Sequence, residues 1–398
     1  MKISDLIPIF DSEPQTWARE ARLLWWLTFL WLFVGLVVLF SASYPIADLQ
    51  KSDGWFYVKR QLIWVVVGLG LMNFVVRSPL YQNLRISPLI MLIFLGLMCV
   101  TLIPGLGKSV NGASRWLAIG SFDIPIQPSE LIKPFLVLQS ARIFGQWQQM
   151  RLDRFLLWMG IFASMLLVIL LQPNLSTAAL CGMALWLIAL AGGFPLQYLG
   201  QTAALGTLLA IVSISLRTYQ QKRIMSFLNP WEDPTENGYQ LIQSLLAIGS
   251  GGYSGVGFGL SQQKLFYLPI QFTDFIFAIY AEEFGFLGSI LLLIMLGIYA
   301  TLGLIVAKKA KTSVHRLVAI GSTIFLVGQS ILNIGVTTGV LPTTGLPLPL
   351  FSYGGSSMIS SLICAGLLIR VARESNTAEV VSLSDRRIEN LMKKTKSR

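Results

Sequence analysis

Residues 23–42 have the sequence LLWWLTFLWLFVGLVVLFSA, twenty positions without a charged side chain. A helix that crosses a bilayer needs about 20 apolar residues, so this run predicts a transmembrane helix. The 22 residues before it include Asp5, Asp11, Glu13 and Glu20. That acidic composition is unlike the short basic segment that begins a signal peptide. We therefore interpret the run as an uncleaved first span.

Similar apolar runs recur along the chain as far as residue 371. Of the 398 residues, 54% are hydrophobic and only 12% are charged, whereas soluble domains carry about 25% charged residues. The chain is therefore predicted to be an all-α polytopic membrane protein, a bundle of about ten transmembrane helices. The predicted spans are 23–42, 58–76, 87–103, 129–145, 155–171, 175–192, 198–216, 284–306, 317–337 and 355–371.

The basic residues predict the orientation of the bundle, because cytoplasmic loops of membrane proteins are enriched in Lys and Arg. With the N-terminus in the cytoplasm, 20 of the 30 Lys and Arg residues fall in cytoplasmic segments. We therefore predict a cytoplasmic N-terminal tail at 1–22, a transmembrane domain at 23–371 and a basic cytoplasmic tail at 372–398. The net charge of +11 then reflects topology and attraction to anionic lipid, and no nucleic-acid partner is expected.

Residues 217–283 form by far the longest predicted loop, an extracytoplasmic segment between the seventh and eighth spans. Its part 239–260 has no charged residue but holds six glycines between Gly249 and Gly259. This glycine content makes a poor lipid-exposed helix. We interpret this part as an interfacial or re-entrant element, and we expect the long loop to be structured and to carry function.

Several kinds of chemistry are excluded by what the sequence lacks. The only histidine, His315, falls on the cytoplasmic side, so no Ser–His–Asp arrangement is possible outside. No P-loop or dinucleotide fingerprint is present, which argues against ATP-driven transport by this chain alone. The three cysteines lie inside apolar runs without the spacing of a zinc site or a disulfide framework. They are Cys99, Cys181 and Cys364.

Asp274 is the acidic residue that stands out on the predicted outer side. It lies within Phe272-Thr273-Asp274-Phe275-Ile276-Phe277, a single acid among aromatic residues at the outer end of a span. One interpretation is a helix N-cap, in which the carboxylate accepts hydrogen bonds from free helix N–H groups. The other is a catalytic base or a metal ligand. Desolvation among aromatic rings would raise the pKa of this carboxyl, and neighbouring cations would lower it.

Other polar groups of the predicted spans have both structural and functional interpretations. Glu130 and Lys133 lie three residues apart on one helix, so a structural ion pair is the default. The segment 352–357 opens the last span, where the backbone around Ser352 and Gly354 would either meet an anion or simply cap the helix. Glu282 and Glu283 are expected to pair with polar groups inside the bundle, in either a structural or a substrate-channel role. Gln329 and Asn333 are expected to form hydrogen bonds between helices.

Outer cations are few, and guanidinium groups pair bidentately with phosphate oxygens, so a pyrophosphate-bearing ligand would suit them. The cations on this side include Lys59, Arg60, Lys108, Arg115, Lys133, Arg217, Lys222, Arg223 and Lys264.

An ordered set of motifs resembles the FtsW/RodA family, the shape, elongation, division and sporulation proteins of bacterial cell-wall synthesis. The resemblance covers nearly the whole chain. Each motif alone is modest evidence for the family, but the ordered set is specific. The motifs are Asn111-Gly112-Ala113-Ser114-Arg115-Trp116-Leu117, Gln127-Pro128-Ser129-Glu130 with Lys133, Phe227-Leu228-Asn229-Pro230-Trp231-Glu232-Asp233-Pro234, Gly238-Tyr239-Gln240, Thr273-Asp274-Phe275-Ile276-Phe277, Ala281-Glu282-Glu283, Asn333-Ile334-Gly335 and Pro347-Leu348-Pro349 to Ser356.

The resemblance implies a peptidoglycan glycosyltransferase that polymerises lipid II on the outer face of the bacterial plasma membrane. In the family, the acid at the position of Asp274 is the essential catalytic residue. The resemblance also implies a divalent cation, Mg²⁺ or Mn²⁺, with Asp274 as a metal ligand. Arg60, Arg115, Lys133 and Arg223 are the candidates for binding the pyrophosphate, and Glu130, Ser352 and Gly354 complete the predicted substrate site.

The motifs at 111–114 and 229–234 look more like the division branch of the family than the elongation branch. That branch implies a class B penicillin-binding protein transpeptidase as partner, together with other division proteins, and a location at the septum.

Two positions depart from the family pattern. Phe272 stands where many members have histidine, which argues against a His–Asp dyad, and Asn174 stands where many have aspartate, so its loop is not assigned catalysis.

Three alternatives remain from the sequence. An elongation-branch paralogue would perform the same reaction. A lipid II flippase would use the same cations and acids without chemistry, and discontinuous helices or inverted repeats would favour it. A noncatalytic scaffold of the division machinery would perform neither glycosyl transfer nor lipid II transport.

Overall fold

The computed structural model describes residues 17–103, 107–110, 113–119, 124–236 and 238–395. Most of the predicted N-terminal tail and the Asn111-Gly112 part of the first family motif lie outside these residues. The helices are α1 (Arg19–Lys51), α2 (Phe56–Arg77), α3 (Leu80–Val100), α4 (Pro128–Leu131), α5 (Lys133–Gly145), α6 (Leu152–Leu171), α7 (Leu175–Ala191), α8 (Leu196–Leu216), α9 (Thr218–Leu228), α10 (Tyr239–Ser250), α11 (Ile276–Lys309), α12 (Ser313–Thr323), α13 (Gln329–Thr337) and α14 (Gly355–Thr395).

Each predicted span has a helical counterpart. Among the described residues, eight helical segments are long and apolar enough to cross a membrane. Two predicted spans correspond to shorter helices: α7 has 17 residues, and the span 129–145 is divided into α4 and α5. Helices α12 and α13 are joined by a wider π-helical turn, Ile324–Gly328, and together make one crossing segment. The all-α polytopic class is confirmed.

Two features differ from the predicted boundaries. A small antiparallel sheet, in which β2 (Ala113–Ile119) pairs with both β1 (Gly107–Val110) and β3 (Ile124–Ile126), precedes α4 and was missed. Strands of three to seven residues have too little alternation to be recognised beside long apolar runs. Helix α14 continues without interruption to Thr395, through residues assigned to the C-terminal tail.

The glycine-rich segment predicted to be re-entrant pairs with a break in α11. That helix begins at Ile276, eight residues before the predicted span, and is interrupted at Gly285, where φ is 67°. The freed backbone groups bond to the glycine-rich segment: Val256 N–H donates to Glu282 O at 3.0 Å, and Phe286 N–H donates to Gly252 O at 2.9 Å. Because lipid offers no hydrogen-bond partners, such irregular backbone must be paired within the protein.

The same region contains a buried polar cluster. Glu282 and Glu283 are each only 1% exposed. The Glu283 carboxylate accepts a hydrogen bond from Lys264 Nζ at 2.8 Å and another from the Ser41 hydroxyl of α1. Glu282 accepts from the Ser261 hydroxyl and from Gln262 N–H. Both acids pair with polar groups inside the bundle, as expected from the sequence, and they fasten the segment 251–275 to α1 and α11.

The glycines of this segment are required by close backbone contact. At Gly255, φ is +82°, and a Cβ would lie 2.1 Å from Glu283 O. Replacing Gly255 with alanine should therefore cost at least about 2 kcal/mol through left-handed strain and overpacking. We expect a clear loss of thermal stability in detergent. Gly249→Ala is the matched control, because a Cβ there meets nothing within 4 Å and the residue lies in α10. Equal melting temperatures for the two variants would contradict this interpretation.

Candidate functional site

Asp274 lies just before α11, in the turn that leads into that helix. The helix begins at Ile276 with Phe275 as its N-cap residue, and within the described part of the chain no side-chain hydrogen bond caps this end. The N-cap interpretation of Asp274 is therefore wrong. Its carboxylate is therefore available for a role other than helix capping.

Three consecutive backbone carbonyls fix the segment that carries Asp274. Tyr353 N–H donates to Phe272 O at 2.9 Å, and the Ser352 hydroxyl donates to Thr273 O at 2.6 Å. The side-chain amide of Asn333 donates to Asp274 O at 2.7 Å. Since the carbonyl of each of these residues is held by a separate donor, the backbone of Asp274 has little freedom to shift.

The Thr343–Gly345 loop brings Arg223 next to Asp274. Gly345 has a φ of +74°, and a Cβ built on it would lie 3.3 Å from Asp274 Oδ2 and 4.0 Å from Arg223 Nη2. Arg223, on α9, also donates from Nη1 to Thr343 O at 3.1 Å. The carboxylate and the guanidinium group thus meet on the same face of a glycine whose missing side chain leaves them room.

The surroundings of Asp274 make its carboxylate a stronger base than a free aspartate. Desolvation of this half-buried group raises its pKa to about 6, from about 3.9 in water. The positive charges of Arg223 and Arg115 act in the opposite direction, and the negative charge of Glu130 adds to the increase. The group titrates close to neutral pH, which is the range that suits a general base.

Aromatic rings form one wall beside this segment. Phe272 is 8% exposed, and its ring centroid lies 4.6 Å from that of Tyr57 and 5.7 Å from that of Tyr353. Phenylalanine at this position therefore makes a dry aromatic contact.

Glu130 and Lys133 form a buried ion pair with an N–O distance of 2.6 Å. Lys133 is only 2% exposed, and its Nζ donates a second hydrogen bond to Gln329 Oε1 at 3.0 Å. The amide of Gln329 in turn donates to Pro347 O at 2.7 Å. The pair thus supports the proline-rich loop next to Asp274, which agrees with the structural default from the sequence.

The predicted anion site at the start of α14 is engaged within the protein. Gly354 N–H donates to Gln61 Oε1 at 3.2 Å, and Gln61 also donates to Ser352 O at 3.3 Å. The Ser352 hydroxyl, besides donating to Thr273, accepts from Leu348 N–H at 2.8 Å. Both residues therefore shape the backbone around Asp274. Gln61 was not singled out from the sequence, because an isolated glutamine in an apolar helix gives no signal of its partner.

The remaining predicted cations lie at different distances from the central carboxylate. Arg115 on β2 donates to Gln172 O at 3.1 Å and to Pro173 O, at the end of α6, and its charge still reaches Asp274. Arg60 lies with its guanidinium carbon 5.0 Å from the centroid of the Phe56 ring and interacts with Tyr353. Of the two cations that lower the pKa of Asp274, Arg223 has the larger effect.

The side chains around Asp274 offer few ligands for a divalent cation. The described residues contain no group of three or more His, Cys, Asp or Glu side chains that could hold a metal ion. At Asp274 the chain offers one carboxylate beside guanidinium groups. Mg²⁺ is commonly held by one or two carboxylates together with substrate phosphates. These residues fit a cation only as part of a site that a bound pyrophosphate would complete.

Comparison with known proteins agrees with the geometry. The family model described as cell cycle protein, for FtsW, RodA and SpoVE, matches residues 21–377. The probable peptidoglycan glycosyltransferase FtsW of Synechocystis is 56% identical over 378 residues, which cover 95% of each chain. Stage V sporulation protein E of Bacillus subtilis is 38% identical and covers 88% of this chain and 96% of its own.

Solved structures show the same fold. RodA of Thermus thermophilus superposes with a TM-score of 0.63 at 26% identity, covering 88% of this chain and 96% of that one. A chain from a peptidoglycan synthase complex superposes with a TM-score of 0.71 at 28% identity, covering 88% and 97%. Together with the family model and the close relatives, these matches leave one assignment: the chain belongs to the FtsW/RodA/SpoVE family of cell cycle proteins.

Proposed function

We propose that this protein is a peptidoglycan glycosyltransferase that joins lipid II units into glycan strands during cell division, with Asp274 as its general base. The observation that carries the proposal is Asp274 itself. Its backbone is fixed by three donors, its carboxyl has a pKa of about 6, and it lies beside Arg223. The chain that carries it matches a relative named as a probable peptidoglycan glycosyltransferase over 95% of its length.

In the proposed reaction, the 4-hydroxyl of one GlcNAc attacks the anomeric carbon of a lipid-linked MurNAc. A glycosidic C–O bond forms while the bond from the anomeric carbon to the pyrophosphate breaks. Undecaprenyl pyrophosphate leaves with the electron pair, and Asp274 takes the proton of the attacking hydroxyl. A base with a pKa near 6 remains ionised at neutral pH and accepts this proton more readily than a free aspartate does.

Arg223 and Arg115 are the proposed partners of the leaving pyrophosphate, because their positive charges already act at Asp274. Fixed cations in a water-poor site stabilise charge that develops in the transition state. Arg60 is proposed to contact a more distant part of the substrate. A divalent cation held by Asp274 and the pyrophosphate would add further charge stabilisation, and the roles proposed for the side chains do not depend on it.

The proposed setting follows from the orientation expected from the basic residues. Both termini lie in the cytoplasm, Asp274 faces the outer side of the plasma membrane, and the enzyme works at the septum. A class B penicillin-binding protein is the proposed partner, since a structural relative was solved in a peptidoglycan synthase complex. The orientation is tested by accessibility labelling of two introduced cysteines. One replaces Thr273, just before α11, and the other replaces Ser313, at the start of α12 on the opposite side of the membrane.

Lipid II transport is a second candidate, supported by one observation. Helix α11 is discontinuous at Gly285, and broken helices are typical of transporter sites. The freed groups at this break, however, bond to the protein's own segment 252–257. Transport of labelled lipid II across vesicles by the wild-type protein, with no polymer formed even when a divalent cation and the partner transpeptidase are present, would favour this alternative.

Asp274→Asn should abolish glycan polymerisation, with a loss of at least about 10²-fold, since the amide cannot accept the proton. The raised pKa means that folding disfavours the ionised carboxylate at neutral pH. The neutral amide should therefore leave the melting temperature unchanged or higher. Gel analysis of polymer from lipid II, with the partner transpeptidase present, measures the first effect. Wild-type polymer yield from a folded Asp274→Asn protein would contradict the assignment.

The kcat/KM of polymerisation should be flat above about pH 7 and fall about tenfold per pH unit well below pH 6, as the base becomes protonated. Arg223→Gln should move this inflection to higher pH, because Arg223 lowers the pKa of Asp274. The matched control is Lys222→Gln, which removes an equal charge from an exposed neighbour. An inflection that stays in place in Arg223→Gln, or moves equally in both variants, would show that Arg223 does not act on the base.

A further inference from the structure

Asn333 connects two backbone segments that are far apart in the sequence. Its side-chain nitrogen donates to Asp274 O at 2.7 Å and to Leu346 O at 2.8 Å. An amide nitrogen has two hydrogens, so both are used. The opposite amide orientation would place an oxygen against two carbonyl oxygens, which fixes the assignment. Asn333 is only 1% exposed, so water does not compete for these bonds.

The loop that Asn333 contacts depends on side-chain donors. Pro342, Pro347 and Pro349 have no N–H group, and the segment around them forms no helix. Three of its carbonyls accept hydrogen bonds from side chains outside the loop: Arg223 donates to Thr343 O, Asn333 to Leu346 O and Gln329 to Pro347 O. Asn333 also donates to the backbone of Asp274.

The relative position of the two segments determines the surroundings of the carboxylate. Asp274 Oδ2 lies against the open side of Gly345, one residue before Leu346 in the chain. The same loop holds the Arg223 guanidinium group through Thr343 O. If the Asp274 segment moved relative to this loop, the distance between the carboxylate and the guanidinium group would change.

We infer that Asn333 is a positioning residue for glycosyl transfer: by bonding Asp274 O and Leu346 O with one amide, it sets the carboxylate against Arg223 and the Thr343–Gly345 loop. The inference rests on the proposed function of Asp274. Asn333 does not reach substrate itself and acts through the backbone of the base.

The test compares Asn333→Leu, which keeps the approximate volume but removes both donors, with Ser330→Ala on the same helix. Ser330 is equally buried, and its hydroxyl donates to Leu326 O in the preceding turn of the chain. We expect Asn333→Leu to lower kcat of polymerisation about 10–100-fold with KM changed less than about threefold, since displacement of about 1 Å costs about 10²-fold. The inflection of the pH profile should also move, while Ser330→Ala should retain the wild-type profile.

Hydrogen exchange supplies a measurement that does not require activity. In Asn333→Leu, peptides covering 272–278 and 343–350 should exchange faster than in wild type, whereas Ser330→Ala should leave them unchanged. Should Asn333→Leu fail to fold, Asn333→Asp preserves the shape with at most one hydrogen for two carbonyls, and an intermediate loss of kcat is expected.

Two outcomes separate the inference from the proposed function. If Asp274→Asn is inactive but Asn333→Leu has wild-type kcat and pH profile, the positioning role is wrong and the base assignment stands. If Asp274→Asn polymerises normally while exchange at 272–278 still responds to Asn333→Leu, the proposed function fails and Asn333 is only a structural clamp. A fall in kcat that matches lost stability, with an unmoved pH inflection, would also overturn the positioning role.

Discussion

The constraint on which this structure depends is that backbone polar groups away from water must find partners inside the protein. The chain breaks regular helix structure at two places close to Asp274. At Gly285 the backbone N–H and C=O groups of α11 that lack helical partners bond to the glycine-rich segment 252–257. Along the proline-rich loop, side chains from α9 and α13 supply the donors. These hydrogen bonds hold both irregular segments in place, as the role proposed for Asp274 requires.

The chemistry of the site follows from how its polar groups are distributed. Groups that hold the backbone are buried and hydrogen-bonded, as with Lys133, Gln329 and Asn333. Asp274 and Arg223 are half-buried, and both lie at the open face of Gly345. Partial desolvation leaves the carboxyl basic without neutralising it at pH 7. In the proposed mechanism, the buried residues fix the geometry of the site, and the half-buried ones supply the base and the positive charge.

Much of this arrangement was predictable from the sequence. Hydropathy located the helices, and the isolated acid in an aromatic segment identified Asp274. The glycine run correctly indicated backbone that is not a lipid-exposed helix. What could not be predicted were pairings across long separations, such as the 59 residues between Asp274 and Asn333. Hydropathy reports whether a side chain avoids water, and it does not report which carbonyl a buried amide will meet. The short sheet before α4 was missed because its strands carry too few residues for a periodic signal.

The central claim is that Asp274 removes the proton from the attacking sugar hydroxyl. It is tested most directly by a structure of the protein with a lipid-linked donor and an acceptor bound, determined with the Asp274→Asn variant to prevent turnover. We expect the acceptor 4-hydroxyl within about 3.2 Å of the residue 274 side chain, and pyrophosphate oxygens on Arg223. An acceptor hydroxyl bound instead beside Glu282 and Glu283, out of reach of residue 274, would contradict the account.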